Sequence, residues 1–249
     1  DPSRIGGEAV RTAGSLARFL APAFTPRSPL MRGRSLDRRL GTLEIDLDDL
    51  QRAAKTGGGT LNDAFVAGVA GGLARYHEEH GAPAPDLRMT MPINLRADAD
   101  TTAGGNRFTP ARFPIPLTID DPIERMQTIR ALVQHIRQEP AVGMSNSLAA
   151  VLDRLPQIAT TALFGSLLKG ADFVTSNVPG APFPVYLSGA QLTRMYAFAP
   201  TAGAAANVTL LSHLGTCCIG VLTDTAAVPD NDRFVACIGD GLAEVTSIS

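Results

Sequence analysis

The chain has 249 residues, 45% of them apolar and 18% charged. That balance excludes a disordered chain and provides a sizeable core for one large domain or two small ones. With 22 Lys and Arg against 24 Asp and Glu, the net charge is −2, so no global field draws in nucleic acid.

In chain order, Val10, Ala13, Leu16, Ala17 and Leu20 fall at helical spacing over residues 8–20, and Pro22 and Pro26 stop that helix. Residues 24–39 are rich in Pro, Arg and Ser and read as an ordered loop or linker. Leu43, Ile45 and Leu47 alternate with Glu44 and Asp46, predicting a half-buried strand over 40–47. Asp48 is the expected cap of a short helix ending at Gly57-Gly58-Gly59. Thr60 caps a longer helix over 61–81, with Asp63 at the capping-box position and Phe65, Val66, Val69 and Leu73 on the apolar face. Gly68, Gly71 and Gly72 each cost about 1 kcal/mol there relative to Ala. Close packing against a sheet or a ligand is the expected return.

Residues 87–95 alternate as a strand, in which Pro92 indicates an edge or a bulge. A polar loop follows over 96–106, and residues 108–117 are extended and broken by Pro. Residues 121–138 form a helix: Pro122 suits its first turn, and Met126, Ile129, Val133 and Ile136 share a face. Two more helices are predicted at 142–154 and 156–169. A strand over 172–178 ends at Pro179-Gly180. Further strands are predicted at 185–190, 192–198, 206–214 and 217–223, the last two joined as a hairpin at Gly215, and a helix over 230–243 closes the chain. The order predicts an α/β (α+β) fold, a mixed sheet with helices packed on it.

Cys217 and Cys218 are strand neighbours that point to opposite faces, and with Cys237 they make an odd count. That argues against a secreted disulfide scaffold and for a reducing cytosol. No apolar run approaches the roughly 20 residues of a membrane span, and signal-peptide regions are missing. The chain begins Asp1-Pro2 rather than Met, so an N-terminal part is expected to be missing or cleaved.

The residues alone offer no recognisable nucleophile–base pair. His77 and His80 form an HxxH pair without a third metal ligand at suitable spacing, and read as a solvated helix end. His135 reads as the polar side of its helix and His213 as packing on a strand. There is no G-x-S-x-G elbow, no Walker A loop, no G-x-G-x-x-G cradle after a strand and no aromatic platform for nucleic acid. Three polar clusters at element ends are the candidate site. Asn62-Asp63 opens a helix, Arg96 with Asn106-Arg107 brackets a loop, and Ser176-Asn177 ends a strand. Caps and turns also account for each of them singly.

The segments SPLMRGRS, TLNDAFVAGVAGGLARY, MPINLR, GGNRF, DDPIERM, SNVPGAPFPVYLSG, NVTLLSHLG and VPDNDRF occur in that order. Together, from about residue 28 to residue 243, they resemble the C-terminal half of the bacterial wax ester synthase/acyl-CoA:diacylglycerol acyltransferases. Met31 stands where Trp or Asn is commoner, and His213 where Tyr is usual. The family's HHxxxDG motif belongs to the other half and is absent here. The resemblance implies one lobe of a two-lobe fold like that of CoA-dependent acyltransferases. Residues 1–40 would be an N-terminal amphipathic helix and interlobe linker, and residues 41–249 the C-terminal lobe.

The implied reaction moves an acyl group from acyl-CoA, a substrate rather than a cofactor, to diacylglycerol or a fatty alcohol, with a histidine of the N-terminal HHxxxDG lobe as general base. The implied location is cytoplasmic, peripheral on a membrane or lipid-droplet surface. Asn62, at a helix N-terminus, would donate to the oxyanion, and Asp63 would cap or orient. Arg96 and Arg107 would meet CoA phosphates with Asn106 beside them. Ser176 and Asn177 would line the channel mouth. The glycines would leave space for an acyl chain or a close strand. A non-catalytic lipid-binding half, and a condensation-type enzyme using carrier-bound acyl groups, are the alternatives.

Overall fold

The computed structural model describes residues 26–94, 108–138 and 170–248. In chain order these hold β1 (Arg38–Asp46), α1 (Leu47–Thr56), α2 (Leu61–Glu79), β2 (Asp86–Asn94), β3 (Phe108–Pro116) and α3 (Pro122–Arg137). There follow β4 (Phe173–Pro179), β5 (Tyr186–Leu187), β6 (Ala190–Gln191), β7 (Ala206–His213), β8 (Thr216–Asp224) and α4 (Asn231–Thr246).

Six strands form a mixed sheet in the order β1-β8-β7-β4-β2-β3. β4 is parallel to β2 and β7, and the other neighbours are antiparallel. Leu214 (φ 47°) and Gly215 (φ 79°) turn β7 into β8. Two successive left-handed residues are what a two-residue hairpin turn of matching twist requires. Pro110, Pro114 and Pro116 suit β3 to the sheet edge, where no partner needs their missing N–H. Alternation places Met89, Phe113, Phe173, Leu210 and Ile219 on one face, buried with residues of the helices in a single core. Each such side chain contributes about 1.5–3 kcal/mol by leaving water.

Helix α2 is buried without a break from Asp63 to Leu73, so it is more than a helix with one apolar face. Its glycines meet neither a strand nor a vacant channel: Gly68 and Gly72 meet α4, and Gly71 meets the Arg125 guanidinium of α3. A Cβ on Gly72 would lie 2.5 Å from the Cys237 carbonyl oxygen and 2.6 Å from the Ile238 Cα, and one on Gly68 would lie 2.7 Å from Leu242 Cδ2. Gly241 of α4 presses in turn on the backbone of Gly68 and Gly72. The two helix backbones therefore touch, and the space expected for an acyl chain at these glycines is filled.

The segment ahead of β1 is an ordered strap. Ser28 N–H donates to Asp172 Oδ1 (2.9 Å) and Ser35 N–H to Asp224 Oδ2 (2.9 Å). Arg34 Nε donates to the Gly203 carbonyl (2.7 Å), and Met31 is wholly buried. Since β1 starts at Arg38, the expected boundary after residue 40 falls inside a strand.

Two local expectations are corrected. The cap of α1 is Asp46, whose Oδ1 accepts from Asp48 N (2.8 Å) and Asp49 N (3.0 Å), because β1 runs directly into the helix. Residues 192–198 are not a strand. They cross the sheet face over Gly220, held by Arg194 on Glu44 (2.8 Å), so they lie above the ladder rather than in it. The helices expected at 8–20, 142–154 and 156–169 lie outside the described residues.

Candidate functional site

The site grows from the first turn of α2. Thr60 has extended backbone and its Oγ1 accepts from Asp63 N–H (3.3 Å). Asp63 Oδ2 accepts from both the Thr60 N–H and the Thr60 hydroxyl, each at 2.8 Å. The Asp63 carboxylate, 3% exposed, is thus occupied in the capping box. Its neighbour Asn62 is differently placed. Its Nδ2 donates to Met91 Sδ at 3.4 Å, and a thioether is a weak acceptor. A half-buried amide donor therefore rests on a soft, displaceable partner.

A shallow pocket of about 90 Å³ opens beside this turn, lined by Thr60, Asn62, Asp63 and, from α3, Arg130, Val133, Gln134 and Arg137. Arg130 and Arg137 are two helical turns apart on one face, and Arg130 donates to the Gly58 carbonyl. Their charges and the positive end of α2 favour negative charge here.

The sheet above this turn is open. The β2–β4 ladder joins only Met89 to Phe173 and Thr90 to Val174, although β2 runs on to Asn94 and β4 to Pro179. Thr175 sits where the strands part, and its hydroxyl donates to Met89 Sδ (3.2 Å). Two donors, Asn62 and Thr175, thus both rest on methionine sulfurs near this parting. In β4 the alternation that buries Phe173 and Thr175 puts Asn177 on the helix-covered side, paired with Leu210. Ser176 pairs with Thr209 on the opposite side. The structure therefore brings Asn62 and Asn177 to the same side of the sheet and separates Ser176 from them. Arg96, Asn106 and Arg107 lie outside the described residues.

Thr175, Arg130 and Arg137 were not singled out from sequence. A signal existed for each, since Thr175 shares a period-2 face with Asn177 and the two arginines are spaced by seven.

The histidines also differ from expectation. His77 is not a solvated residue but fully buried. Its Nδ1 lies 2.8 Å from the Leu73 carbonyl and its Nε2 2.8 Å from Ser28 Oγ. A carbonyl only accepts, so Nδ1 carries the proton and Nε2 accepts from the Ser28 hydroxyl. Burial pushes the His77 pKa down. The pair has the outline of a nucleophile and its base. However, Ser28 is inaccessible, and its oxygen already accepts from Leu30 N (3.1 Å) and Met31 N (2.8 Å). It is a fastening for the strap. His80 bonds Asp230 (2.9 Å), so the HxxH pair splits between different partners.

The sheet and its helices form a mixed α/β fold shared with solved acyltransferase-type structures. It superposes on the wax ester synthase/diacylglycerol acyltransferase from Marinobacter aquaeolei VT8 with a TM-score of 0.65, at 23% identity, over 98% of this chain and 57% of that one. It also superposes on a cyclization-docking bidomain of a nonribosomal peptide synthetase from Sorangium cellulosum with a TM-score of 0.60, at 14% identity, over 95% and 48% of the two chains.

The WS/DGAT C-terminal domain profile matches residues 104–246, and the wax ester synthase/diacylglycerol acyltransferase catalytic domain profile matches residues 3–65. The chain belongs to the WS/DGAT family. A protein of Mycobacterium tuberculosis H37Rv, provisionally named a diacylglycerol O-acyltransferase, is 42% identical over 237 residues, 95% of this chain and 48% of that protein. A second protein of the same strain, named likewise, is 30% identical over 85% of this chain and 47% of its own length. The chain spans about half the length of the curated relatives it matches.

Proposed function

We propose that this chain forms the C-terminal lobe of an O-acyltransferase that moves a fatty acyl group from acyl-CoA to diacylglycerol, giving triacylglycerol, or to a fatty alcohol, giving a wax ester. The reading is carried by the 42% identity, over 95% of this chain, to a relative named for diacylglycerol O-acylation. A histidine outside this chain takes the alcohol proton. The alkoxide oxygen bonds to the thioester carbon while the carbonyl electrons move onto its oxygen. The C–S bond then breaks, and the CoA thiolate leaves and collects the proton. No cofactor is needed; acyl-CoA is a substrate.

Within this chain the proposal assigns the oxyanion to Asn62. Its Nδ2–H exchanges a weak bond to the Met91 sulfur for a charged acceptor, at a helix N-terminus that already favours negative charge. Asp63 holds the turn that presents it. Arg96 and Arg107, with Asn106, are assigned to the CoA phosphates, and Asn177 to the channel wall; Ser176 would serve a surface on the other side of the sheet. The insoluble acceptors place the enzyme peripherally on the cytoplasmic side of a membrane or on a lipid droplet. Among the described residues no helix is long and apolar enough to cross a membrane.

The test is assay of the complete gene product with acyl-CoA and dioleoylglycerol, or with hexadecanol, following free CoA thiol and neutral lipid together. Matched release of both supports the proposal. Absence of product with either alcohol overturns it, and turnover only with carrier-bound thioesters assigns the chain to condensation chemistry instead.

A further inference from the structure

Two leucines at the start of the sheet stand in water: Leu36 is 96% exposed and Leu40 61%. Neither lies on a loose tail. Leu36 sits between two fastened residues of the strap, since the Ser35 N–H donates to Asp224 Oδ2 (2.9 Å) and the Asp37 carbonyl accepts from the Thr225 N–H (3.3 Å). Its side chain is thus held outward. Gly41 faces Val235 of α4, so alternation turns Leu40 to the opposite face of β1, beside its ladder partner Leu222. The next residue of β8 on that face is Gly220, and Phe198, 40% exposed, lies over it. The charge here is one-sided. The strap and the start of β1 carry Arg27, Arg32, Arg34, Arg38 and Arg39 against Asp37, although the net charge of the chain is −2. Arg27 pairs with Asp86 and Arg38 with Asp224. Arg32 and Arg39 are exposed, and neither has a carboxylate partner among the described residues. They flank Leu36 with uncompensated positive charge.

We infer that the strap and the start of β1 dock on an anionic lipid bilayer, with Leu36 and Leu40 entering the headgroup layer and Arg32 and Arg39 meeting lipid phosphates. The inference rests on the acyltransferase reading above and adds to it the face that meets the lipid. Charge complementarity selects this occupant. Arginines beside exposed apolar side chains are what an anionic bilayer attracts, at about 1 kcal/mol for each cation near the surface. Each leucine that leaves water adds about 1.5–3 kcal/mol. Arginines alone would serve to keep the free edge of β1 from pairing with another chain, but that role gains nothing from two leucines in water beside them. A protein groove would have to match each guanidinium with an acid at a fixed place, whereas a headgroup layer offers phosphates at every lateral position. The fastened strap also holds its side chains in place beforehand, which lowers the ordering cost of docking.

Cosedimentation of the complete gene product with phosphatidylcholine vesicles, with and without phosphatidylglycerol, tests this. Phosphatidylglycerol is expected to strengthen binding about 10-fold or more, and Arg32→Gln/Arg39→Gln to abolish that gain. Leu36→Ser/Leu40→Ser is expected to weaken binding about 10-fold or more at an unchanged unfolding midpoint, since both side chains already lie largely in water. An environment-sensitive fluorophore attached to Leu36→Cys is expected to shift to the blue on the same vesicles. Wild-type binding by both double variants overturns the inference, as does binding blind to phosphatidylglycerol or a fluorophore that stays in water. Triacylglycerol synthesis is followed on the same preparations with detergent-dispersed diacylglycerol, which needs no bilayer. Acyl transfer by a protein whose fluorophore stays in water removes this inference alone, and a shifted fluorophore without acyl transfer removes the acyltransferase reading.

Discussion

The Ser28 hydroxyl and the His77 imidazole meet at 2.8 Å with both side chains shut off from solvent, 49 residues apart in sequence. The serine opens the strap and the histidine closes α2, so the contact fastens the approach to β1 onto the helix layer. Ser28→Ala leaves the Leu30 and Met31 N–H groups and the histidine nitrogen without their partner. The expected cost is about 1–3 kcal/mol in urea unfolding; a change under a few tenths would show that the strap is not held there.

The same contact has a pH signature. Burial lowers the His77 pKa, against the opposing hydrogen bond to the Leu73 carbonyl. The unfolded chain takes up this proton near pH 6.5, the folded chain only at lower pH. Stability is therefore full above about pH 6.5 and falls below it, by at most about 1.4 kcal/mol per pH unit from this group. A residue-resolved NMR titration should place the His77 midpoint under 6.5; a midpoint at or above that value would contradict the buried, neutral assignment.

Asp63 and Asn62 are adjacent yet should separate cleanly. Asp63→Ala removes the capping box and is expected to cost about 1 kcal/mol in stability. Asn62→Ala loses only a contact to sulfur, so its unfolding midpoint should hardly move, while kcat of the complete enzyme should fall about 10²–10³-fold. Wild-type turnover in Asn62→Ala would remove the oxyanion role.

The glycine contact between α2 and α4 predicts opposite outcomes for similar changes. Gly72→Ala places a methyl group 2.5 Å from a backbone oxygen of α4. Overpacking should outweigh the roughly 1 kcal/mol gain in helix propensity, for a net loss of about 2 kcal/mol or more. Gly239→Ala meets only the end of the Leu43 side chain at 3.3 Å and should stay within about 1 kcal/mol of wild type. Equal unfolding midpoints for the two variants would rule out backbone contact.

Asp224 is a buried carboxylate that accepts from Ser35 N, Ser35 Oγ (2.8 Å), Ala226 N (3.0 Å) and Arg38 Nη1 (3.0 Å). Burial pushes its pKa up, but these donors outweigh it and the net shift is downward. Its contribution is present above the unfolded value near 3.9 and is lost as pH falls through the lower folded value. Asp224→Asn should cost about 3 kcal/mol at neutral pH. The gap to wild type should close below about pH 4; a gap that persists into acid would exclude the carboxylate as its source.

Much of this architecture is local and therefore legible in the residues. Thr60 and Asp63 three apart make a capping box wherever the helix packs, Pro122 starts α3, alternation marks β2, and Gly215 marks the β7–β8 hairpin. The family resemblance likewise rested on short segments in order. Local pattern could not say that Gly68 and Gly72 await a second helix rather than a strand or a ligand, because the partner lies about 170 residues further on. Alternation alone sets Ser176 and Asn177 on opposite faces of β4, but only the packing of Phe173 in the core showed which face the helices cover. His77 looked solvated between His80 and two glutamates, and only the strap carrying Ser28 took it out of water. Periodicity and capping depend on near neighbours and are written in the sequence; burial and hydrogen-bond partnership depend on distant segments, and only the assembled tertiary structure decides them.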